Sequence, residues 1–180
     1  MKSKIRISAL LLMCLAGSAC VKEKLEATYS SQESKIDSYI EKNRVSGTDT
    51  LRVVRNGGSN RLVRKEGEGE ELDPQGSVSF YYAGYIFTGS ASTMFVTNHQ
   101  STAESSGWSV TDPDYEIFEI NMKDTELIEG LHKGLVGVRA GEECEIMFSG
   151  KYGFGNKTFG IIPANSALLY KIWVVGVSND

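Results

Sequence analysis

The chain has 180 residues, a formal net charge of −4 and a sequence pI near 5.3, with 41% hydrophobic and 23% charged residues. These proportions are typical of a soluble globular domain with room for an export segment, and they exclude a disordered or membrane-spanning chain. A net negative charge does not attract phosphate groups, so nucleic acid is excluded as an expected partner.

The first twenty residues have the pattern of an export signal. A basic start precedes an apolar run over residues 7–15, which is shorter than the about 20 residues of a membrane-spanning helix. Small residues then end directly at Cys20, which resembles the lipobox of bacterial lipoproteins, in which this cysteine is acylated and becomes the N-terminus. The pattern predicts a lipoprotein signal peptide over residues 1–19 and lipidation at Cys20. The alternative is an ordinary secretory signal cleaved near Ala19.

A lipid anchor would hold the protein at the bacterial envelope. Val21 follows the acylated cysteine, and it is not the acidic residue that often retains lipoproteins in the inner membrane. We therefore expect an outer-membrane anchor, with the domain in the periplasm or at the cell surface. The membrane is thus a predicted partner, through lipid rather than through a spanning helix.

Cys144 is the thiol that remains after signal cleavage and acylation, so no intramolecular disulfide is expected. It alternates with Ile146 and Phe148 along one strand face, which predicts a small core residue rather than a reactive thiol.

Residues 20–49 are predicted to be an anchor and helical spacer. Apolar side chains recur there at roughly helical spacing up to Ser46 and Gly47, namely Leu25, Tyr29, Ile36, Tyr39 and Ile40. The helix has three open roles: a spacer between anchor and domain, an element packed on the domain, or a pairing surface for a second copy.

From Thr50 the hydrophobic period changes to two, which predicts a domain over residues 50–180. Residues 51–54 and 62–63 flank Asn56-Gly57-Gly58 and predict a β-hairpin. Further strands are predicted over residues 78–86, 115–120, 142–148 and 168–177. A long polar loop is expected over residues 88–113.

Asp124 is predicted to be the N-cap of a short helix. One apolar stripe of that helix consists of Leu127, Ile128, Leu131 and Leu135. Strands that read as antiparallel around one central helix predict an α+β fold.

No hydrolytic, metal-binding or phosphate-binding pattern is present in the sequence. His99 and His132 are isolated, without other ligands at metal-site spacing, and are predicted to be surface residues. The glycines at 153 and 155 do not open a helix, so they predict no phosphate loop. We therefore expect neither a metal nor a cofactor.

An ordered series of motifs resembles the FKBP family over residues 61–178. The most specific pieces are Glu126-Leu-Ile-Glu-Gly130, Ala140-Gly-Glu142 and Gly160-Ile-Ile-Pro163 followed by Ser166-Ala-Leu168. The resemblance implies an antiparallel sheet wrapped around a short central helix, with a shallow apolar pocket between them. It also implies a peptidyl-prolyl cis–trans isomerase that assists the folding of exported proteins and takes proline-containing polypeptides as clients.

The resemblance also assigns the residues of the pocket. The catalytic positions it implies are Tyr82, Phe95, Ile128, Phe154, Ile162 and Tyr170, and the further substrate contacts are Val96, Phe118, Leu127, Leu131 and Ile161. The backbone N–H of Ile128 is expected to donate to a substrate carbonyl.

Three pocket positions depart from the family pattern. Val96 stands where the family usually has Asp, Leu131 where tryptophan is common, and Phe154 where a tyrosine often hydrogen-bonds the ligand. Phe159 is the residue available for the aromatic contact of the loop before Gly160. These replacements predict weak isomerase activity. They also keep open a non-catalytic chaperone or peptide-binding lipoprotein, and a surface-binding lipoprotein that uses Trp108 for stacking.

Overall fold

The computed structural model describes residues 3–46, 49–108, 115–124 and 126–180, with the backbone alone for residues 3–20, 46 and 49. The described residues form a long N-terminal helix followed by strands, short helices and a 3₁₀ turn. The elements are α1 Ser3–Asn43, β1 Val45–Ser46, β2 Asp49–Thr50, β3 Val53–Asn56, β4 Ser59–Lys65, β5 Ser77–Phe87, β6 Ala91–Thr97, α2 Gln100–Ser105, β7 Phe118–Asn121, α3 Glu129–Leu135, β8 Glu143–Phe148, a 3₁₀ turn Gly150–Tyr152 and β9 Leu168–Ser178.

Within the described residues, seven strands form one antiparallel sheet, six of them in the order β3-β4-β8-β9-β5-β6 and the seventh, β7, paired with β5. Strand β5 organises the sheet, because β9 pairs along one edge from Ser77 to Ile86 while β7 and β6 share the other edge in succession. The predicted hairpin is confirmed: β3 and β4 pair through Asn56 and Ser59, and Gly57 and Gly58 both have positive φ.

Helix α3 lies directly on the inner face of the sheet. Two glycines permit this approach, since a Cβ on Gly130 would lie 2.2 Å from the Phe148 ring and one on Gly134 2.3 Å from Ile146. Leu131 and Leu135 then bury into the main hydrophobic core. The antiparallel sheet around a short helix is the fold expected from the sequence.

The side chain of Arg61 caps the C-terminal end of α3 with hydrogen bonds. Its guanidinium is 2% exposed and donates to the carbonyls of Gly134, Val136 and Gly137 at 2.8, 2.8 and 2.9 Å. Helix ends leave such carbonyls without intrahelical partners, so a buried arginine stabilises this terminus. Glu142, which is fully buried, balances the charge with Arg61 Nε at 3.2 Å.

Helix α1 packs on the opposite, outer face of the sheet. Ile36 and Ile40 are fully buried there in a second core that includes Leu62, Met147 and Leu169. Of the three roles left open for this helix, packing on the domain is the one observed. Among the described residues, no helix combines the length and apolar content needed to cross a membrane.

The helix ends at Asn43 rather than at Ser46 or Gly47 as predicted. The reason is a competing pairing, because Val45 pairs with Thr50 and the Leu51 N–H donates to the Arg44 carbonyl at 2.6 Å. The helical backbone also continues through residues 19 and 20, and the side chain of Cys20 lies outside the described residues. Lipidation at Cys20 therefore stays a prediction.

The loop predicted over residues 88–113 is wrong for most of its length. Strand β6 occupies residues 91–97 and pairs with β5, and α2 follows over residues 100–105 with Ala103 fully buried. The polar side chains of this stretch made a loop the expected structure. Its backbone nevertheless forms a strand, because it hydrogen-bonds to β5. Residues 109–113 of the predicted loop lie outside the described residues.

The start of α3 also differs from the prediction. Asp124 is not its N-cap, because its N–H donates to the Asn121 carbonyl at 3.2 Å in a turn that closes β7. Ile128 is the N-cap instead, with an extended backbone at φ −59° and ψ 142°. The strand predicted over residues 115–120 likewise begins later, at Phe118.

The two histidines are not plain surface residues, which corrects the prediction. The His99 ring stacks on Trp173 with a centroid separation of 3.8 Å, and His132 Nε2 lies 3.0 Å from the Met122 carbonyl oxygen. Burial lowers the pKa of His99. Cys144, by contrast, is confirmed as a core residue, 3% exposed, and burial raises the pKa of its thiol.

Candidate functional site

A cavity of about 470 Å³ opens at the inner face of the sheet, between β5, β9, the start of α3 and the segment that precedes β9. None of the described residues around it carries a formal charge. The lining consists of Phe80, Tyr82, Phe95, Val96, Phe118, Leu127, Leu131, Phe154, Phe159, Gly160, Ile161, Ile162 and Tyr170.

The cavity brings together ten of the eleven residues that the family resemblance assigned to the pocket. Ile128 is the exception, since its side chain packs against the core beside the cavity. Phe80 was assigned no pocket role from the sequence, although its alternation with Tyr82 along β5 was the signal that places both on one face. The parts that these residues take in catalysis stay predictions.

Tyr82 is held by the end of the neighbouring strand. Its N–H donates to Asn98 Oδ1 at 2.6 Å, while its carbonyl accepts from Thr97 Oγ1 at 2.8 Å and from the Asn98 N–H at 3.2 Å. Asn98 also donates from Nδ2 to the Glu116 carbonyl at 2.9 Å. This network replaces regular β5–β6 pairing beyond Ala83 and fixes the backbone from which the Tyr82 ring enters the cavity.

Aromatic rings interlock along the strand side of the cavity. Phe118 packs edge-on against Phe80 and Tyr82, with ring centroids 5.5 and 5.7 Å away. Phe95 and Tyr170 form another edge-on pair at 5.7 Å. These are favoured aromatic geometries, so the rings stabilise one another along this wall.

The segment between β8 and β9 supplies the opposite wall. Phe154 and Phe159 stack at 4.8 Å with an angle of 7° between their planes. Phe159 and Ile162 exchange backbone hydrogen bonds of 3.0 and 2.9 Å across a turn that contains Gly160 at φ +55°. The turn buries Ile162 and leaves Phe159 and Ile161 each 62% exposed at the mouth.

Two tyrosine hydroxyls are the polar side-chain groups of this lining. Tyr170 is 6% exposed, and neither its hydroxyl nor that of Tyr82 has a hydrogen-bond partner among the described residues. Burial raises the pKa of Tyr170, helped by the nearby Tyr82, and burial also raises the pKa of Tyr82. Both hydroxyls are therefore protonated near neutral pH and are available as donors.

Ile128 offers a backbone donor beside the cavity. As the N-cap of α3 its carbonyl accepts from the His132 N–H at 3.0 Å, and its own N–H has no acceptor among the described residues. Leu127 and Leu131, on either side of it in sequence, both line the cavity.

The other candidate groups lie away from this cavity. Among the described residues, no cluster of three or more histidine, cysteine or acidic side chains is arranged to hold a metal ion. Trp108 follows α2 and is half-buried, and its backbone N–H donates to the Ala103 carbonyl at 2.9 Å. A stacking role for Trp108 stays a prediction.

Comparison with known proteins gives a consistent family. A family model described as FKBP-type peptidyl-prolyl cis-trans isomerase matches residues 69–175. The chain is 24% identical over 121 residues to FK506-binding protein 1 of Aspergillus oryzae, covering 67% of this chain and 99% of that protein. It is 34% identical over 55 residues to FK506-binding protein 1A of Neurospora crassa, covering 30% of this chain and 46% of that protein.

Solved structures share the fold. FkpA from Escherichia coli aligns with a TM-score of 0.55 at 18% identity, over 99% of this chain and 74% of that chain. A peptidyl-prolyl cis-trans isomerase from Pseudomonas syringae pv. tomato aligns with a TM-score of 0.57 at 15% identity, over 86% of this chain and 96% of that chain.

Proposed function

Because the chain belongs to the FKBP-type peptidyl-prolyl cis–trans isomerase family, we propose that it isomerises X-Pro bonds of exported polypeptides in this cavity. The observation that carries the proposal is the aromatic, uncharged lining of a cavity of about 470 Å³ that is open at one side. A proline ring with its flanking amide is a small apolar group that such a cavity can bury.

The chemistry needs desolvation rather than acid–base catalysis. The X-Pro amide isomerises slowly because its C–N bond has partial double-bond character, with a barrier of about 18–20 kcal/mol. In the twisted transition state this resonance is lost, and the carbonyl becomes less polar. An apolar cavity therefore stabilises the twisted amide relative to the planar one, which lowers the barrier.

Hydrogen bonds would hold the substrate while it twists. Among the described residues, the N–H of Ile128 and the hydroxyls of Tyr82 and Tyr170 are donors without partners in this region. A donor at the position of Ile128 suits a carbonyl next to the proline. The tyrosine hydroxyls are hydrogen-bond donors within the lining, whereas the side chain of Phe154 has no donor.

We further propose a lipid anchor for this activity. The small residues ending at Cys20 support acylation there, and Val21 favours the outer membrane. An isomerase tethered in this way would act on unfolded chains that pass through the envelope or emerge at its surface.

A protease-coupled assay with short X-Pro peptides tests the proposed function on the full chain in detergent. We expect catalysis above the uncatalysed rate, and a loss of about tenfold or more in kcat/KM for Ile161→Glu, because a carboxylate at the mouth opposes desolvation of the amide. The matched control is Val175→Glu, since Val175 is also exposed, at 51%, but does not line the cavity.

The second candidate is a non-catalytic, peptide-binding chaperone. The observation that favours it is the exposed apolar mouth formed by Phe159 and Ile161, together with Val96 in the lining where the family usually has an acid. Proline peptides that bind the wild-type chain without any acceleration of isomerisation would select this candidate and overturn the isomerase proposal.

A further inference from the structure

Polar side chains of α1 converge on the segment that forms one wall of the cavity. This rim segment, residues 150–166, carries Phe154, Phe159, Ile161 and Ile162 of the lining. Helix α1 lies outside residues 69–175, which the family model matches. The contacts therefore come from a part of the chain outside the residues that the family model matches.

Gln32 joins the two ends of the rim segment. Its Oε1 accepts from the Gly150 N–H at 2.9 Å, and its Nε2 donates to the Asn165 carbonyl at 2.7 Å. These ends already touch, since a Cβ on Gly150 would lie 2.4 Å from the Asn165 carbonyl oxygen. The Gln32 side chain thus links the two ends of the rim segment from the outer face of the sheet.

Neighbouring α1 residues support the same point. The Tyr29 hydroxyl donates to Asn165 Oδ1 at 2.8 Å, and Tyr29 is 7% exposed. Ser149, just before the segment, donates from Oγ to Glu33 Oε1 at 3.2 Å. Three residues within about one turn of α1, Tyr29, Gln32 and Glu33, therefore hold both ends of the rim segment.

Asn165 is also conformationally unusual, which explains why it needs such support. Its φ is +60°, a left-handed conformation that non-glycine residues seldom adopt and that persists where surrounding contacts enforce it. Its N–H donates to the Gly155 carbonyl at 2.6 Å, so its backbone sets the path of the segment towards Phe154. A change at Gln32 should therefore propagate to the cavity wall.

We infer that Gln32 is a positioning residue of the isomerase site, which sets the placement of the rim segment and thereby the affinity for the proline substrate. The inference rests on the proposed function. Its distinctive consequence is that a residue on the outer face of the sheet controls KM without contacting substrate.

Gln32→Met in the full chain tests the inference, because methionine keeps the length of the side chain and removes both polar contacts. We expect KM for an X-Pro peptide to rise about threefold to tenfold, as for one or two lost hydrogen bonds, with kcat within about twofold. Gln32→Glu keeps the acceptor for Gly150 but places a carboxylate oxygen against the Asn165 carbonyl, where two acceptors repel, so its KM should rise at least as much as that of Gln32→Met. Tyr29→Phe, which removes one hydroxyl only, should raise KM least.

The matched control is Ser34→Ala, an exposed position on the same helix whose hydroxyl bonds only within the helix, to the Ser30 carbonyl. Amide exchange at Gly150 and Asn165 should accelerate in Gln32→Met and not in Ser34→Ala. An unchanged KM and unchanged exchange in Gln32→Met, with an active wild-type chain, would overturn the positioning role and leave the proposed function intact. A wild-type chain without catalysis would instead overturn the proposed function, and with it this inference.

Discussion

The hydroxyl of Tyr170 belongs to a residue that lines the apolar cavity, and it has no hydrogen-bond partner among the described residues. A donor without a partner in the protein is available to a bound substrate. Tyr170→Phe should therefore lower kcat/KM for X-Pro peptides by about threefold to tenfold while the free energy of unfolding stays equal or rises slightly. The assay of peptide isomerisation and urea unfolding on the same preparations measure both quantities.

Tyr85→Phe is the control for this substitution, because Tyr85 lies on β5 with its ring against Lys171 and belongs to the outer-face core. The raised pKa of Tyr170 adds a second readout. Since the hydroxyl stays protonated, the ratio of variant to wild-type activity should not change between about pH 6 and pH 9. Equal activity of Tyr170→Phe and wild type would exclude the hydroxyl as a donor to substrate.

Helix α1 is an integral layer of the domain rather than a free spacer. Ile36 and Ile40, one turn apart, are fully buried against the outer face of the sheet. Ile40→Ala should therefore lower the free energy of unfolding by about 2–5 kcal/mol, the usual effect of deleting a buried aliphatic side chain. Denaturant unfolding monitored by circular dichroism measures the change.

Val21→Ala provides the comparison on the same helix, since Val21 is 69% exposed and should shift stability by less than about 0.5 kcal/mol. If Ile40→Ala were as mild as Val21→Ala, the helix would not be packed on the sheet in solution. Such a result would favour the spacer or pairing roles that the sequence left open.

The molecule combines a helix, a sheet and a cavity on the face of the sheet opposite the helix. A lipid anchor at the start of the helix is predicted in addition. Because α1 continues from the predicted acylation site into the domain, a lipid at Cys20 would be joined to the cavity wall through one continuous helix-and-sheet unit. We expect Cys20→Ala to abolish incorporation of labelled palmitate and to leave the export signal uncleaved, since the thiol is the acyl acceptor. Metabolic labelling and immunoblotting of membrane fractions measure both effects.

Labelled palmitate in the Cys20→Ala protein would contradict the lipobox interpretation. Cys144→Ala is the matched control, because Cys144 is buried in the core and out of reach of acylating enzymes. Its labelling should equal that of the wild-type chain.

Local patterns predicted those parts of the fold in which propensity and burial agree. The hairpin around Gly57 and Gly58 follows from turn chemistry, the alternation along β5 follows from a sheet with two different faces, and β9 was predicted from a run that is apolar along most of its length. Strand β6 was not predicted, because it forms through pairing with β5 and its own polar composition does not indicate a strand. Asp124 was misassigned because an aspartate serves a turn as well as an N-cap, and only the path of the chain after β7 distinguishes the two.

The sequence by itself determined the family, the α+β architecture and ten of the residues around the cavity, because short motifs and hydrophobic periodicity are local properties of the chain. Tertiary structure alone decided that α1 packs on the outer face and that Gln32 meets Gly150 and Asn165, more than 100 positions away along the chain. It also decided that the hydroxyl of Tyr170 has no hydrogen-bond partner among the residues that the structure describes. Such contacts arise from the closure of distant segments onto one sheet, and no local pattern encodes them.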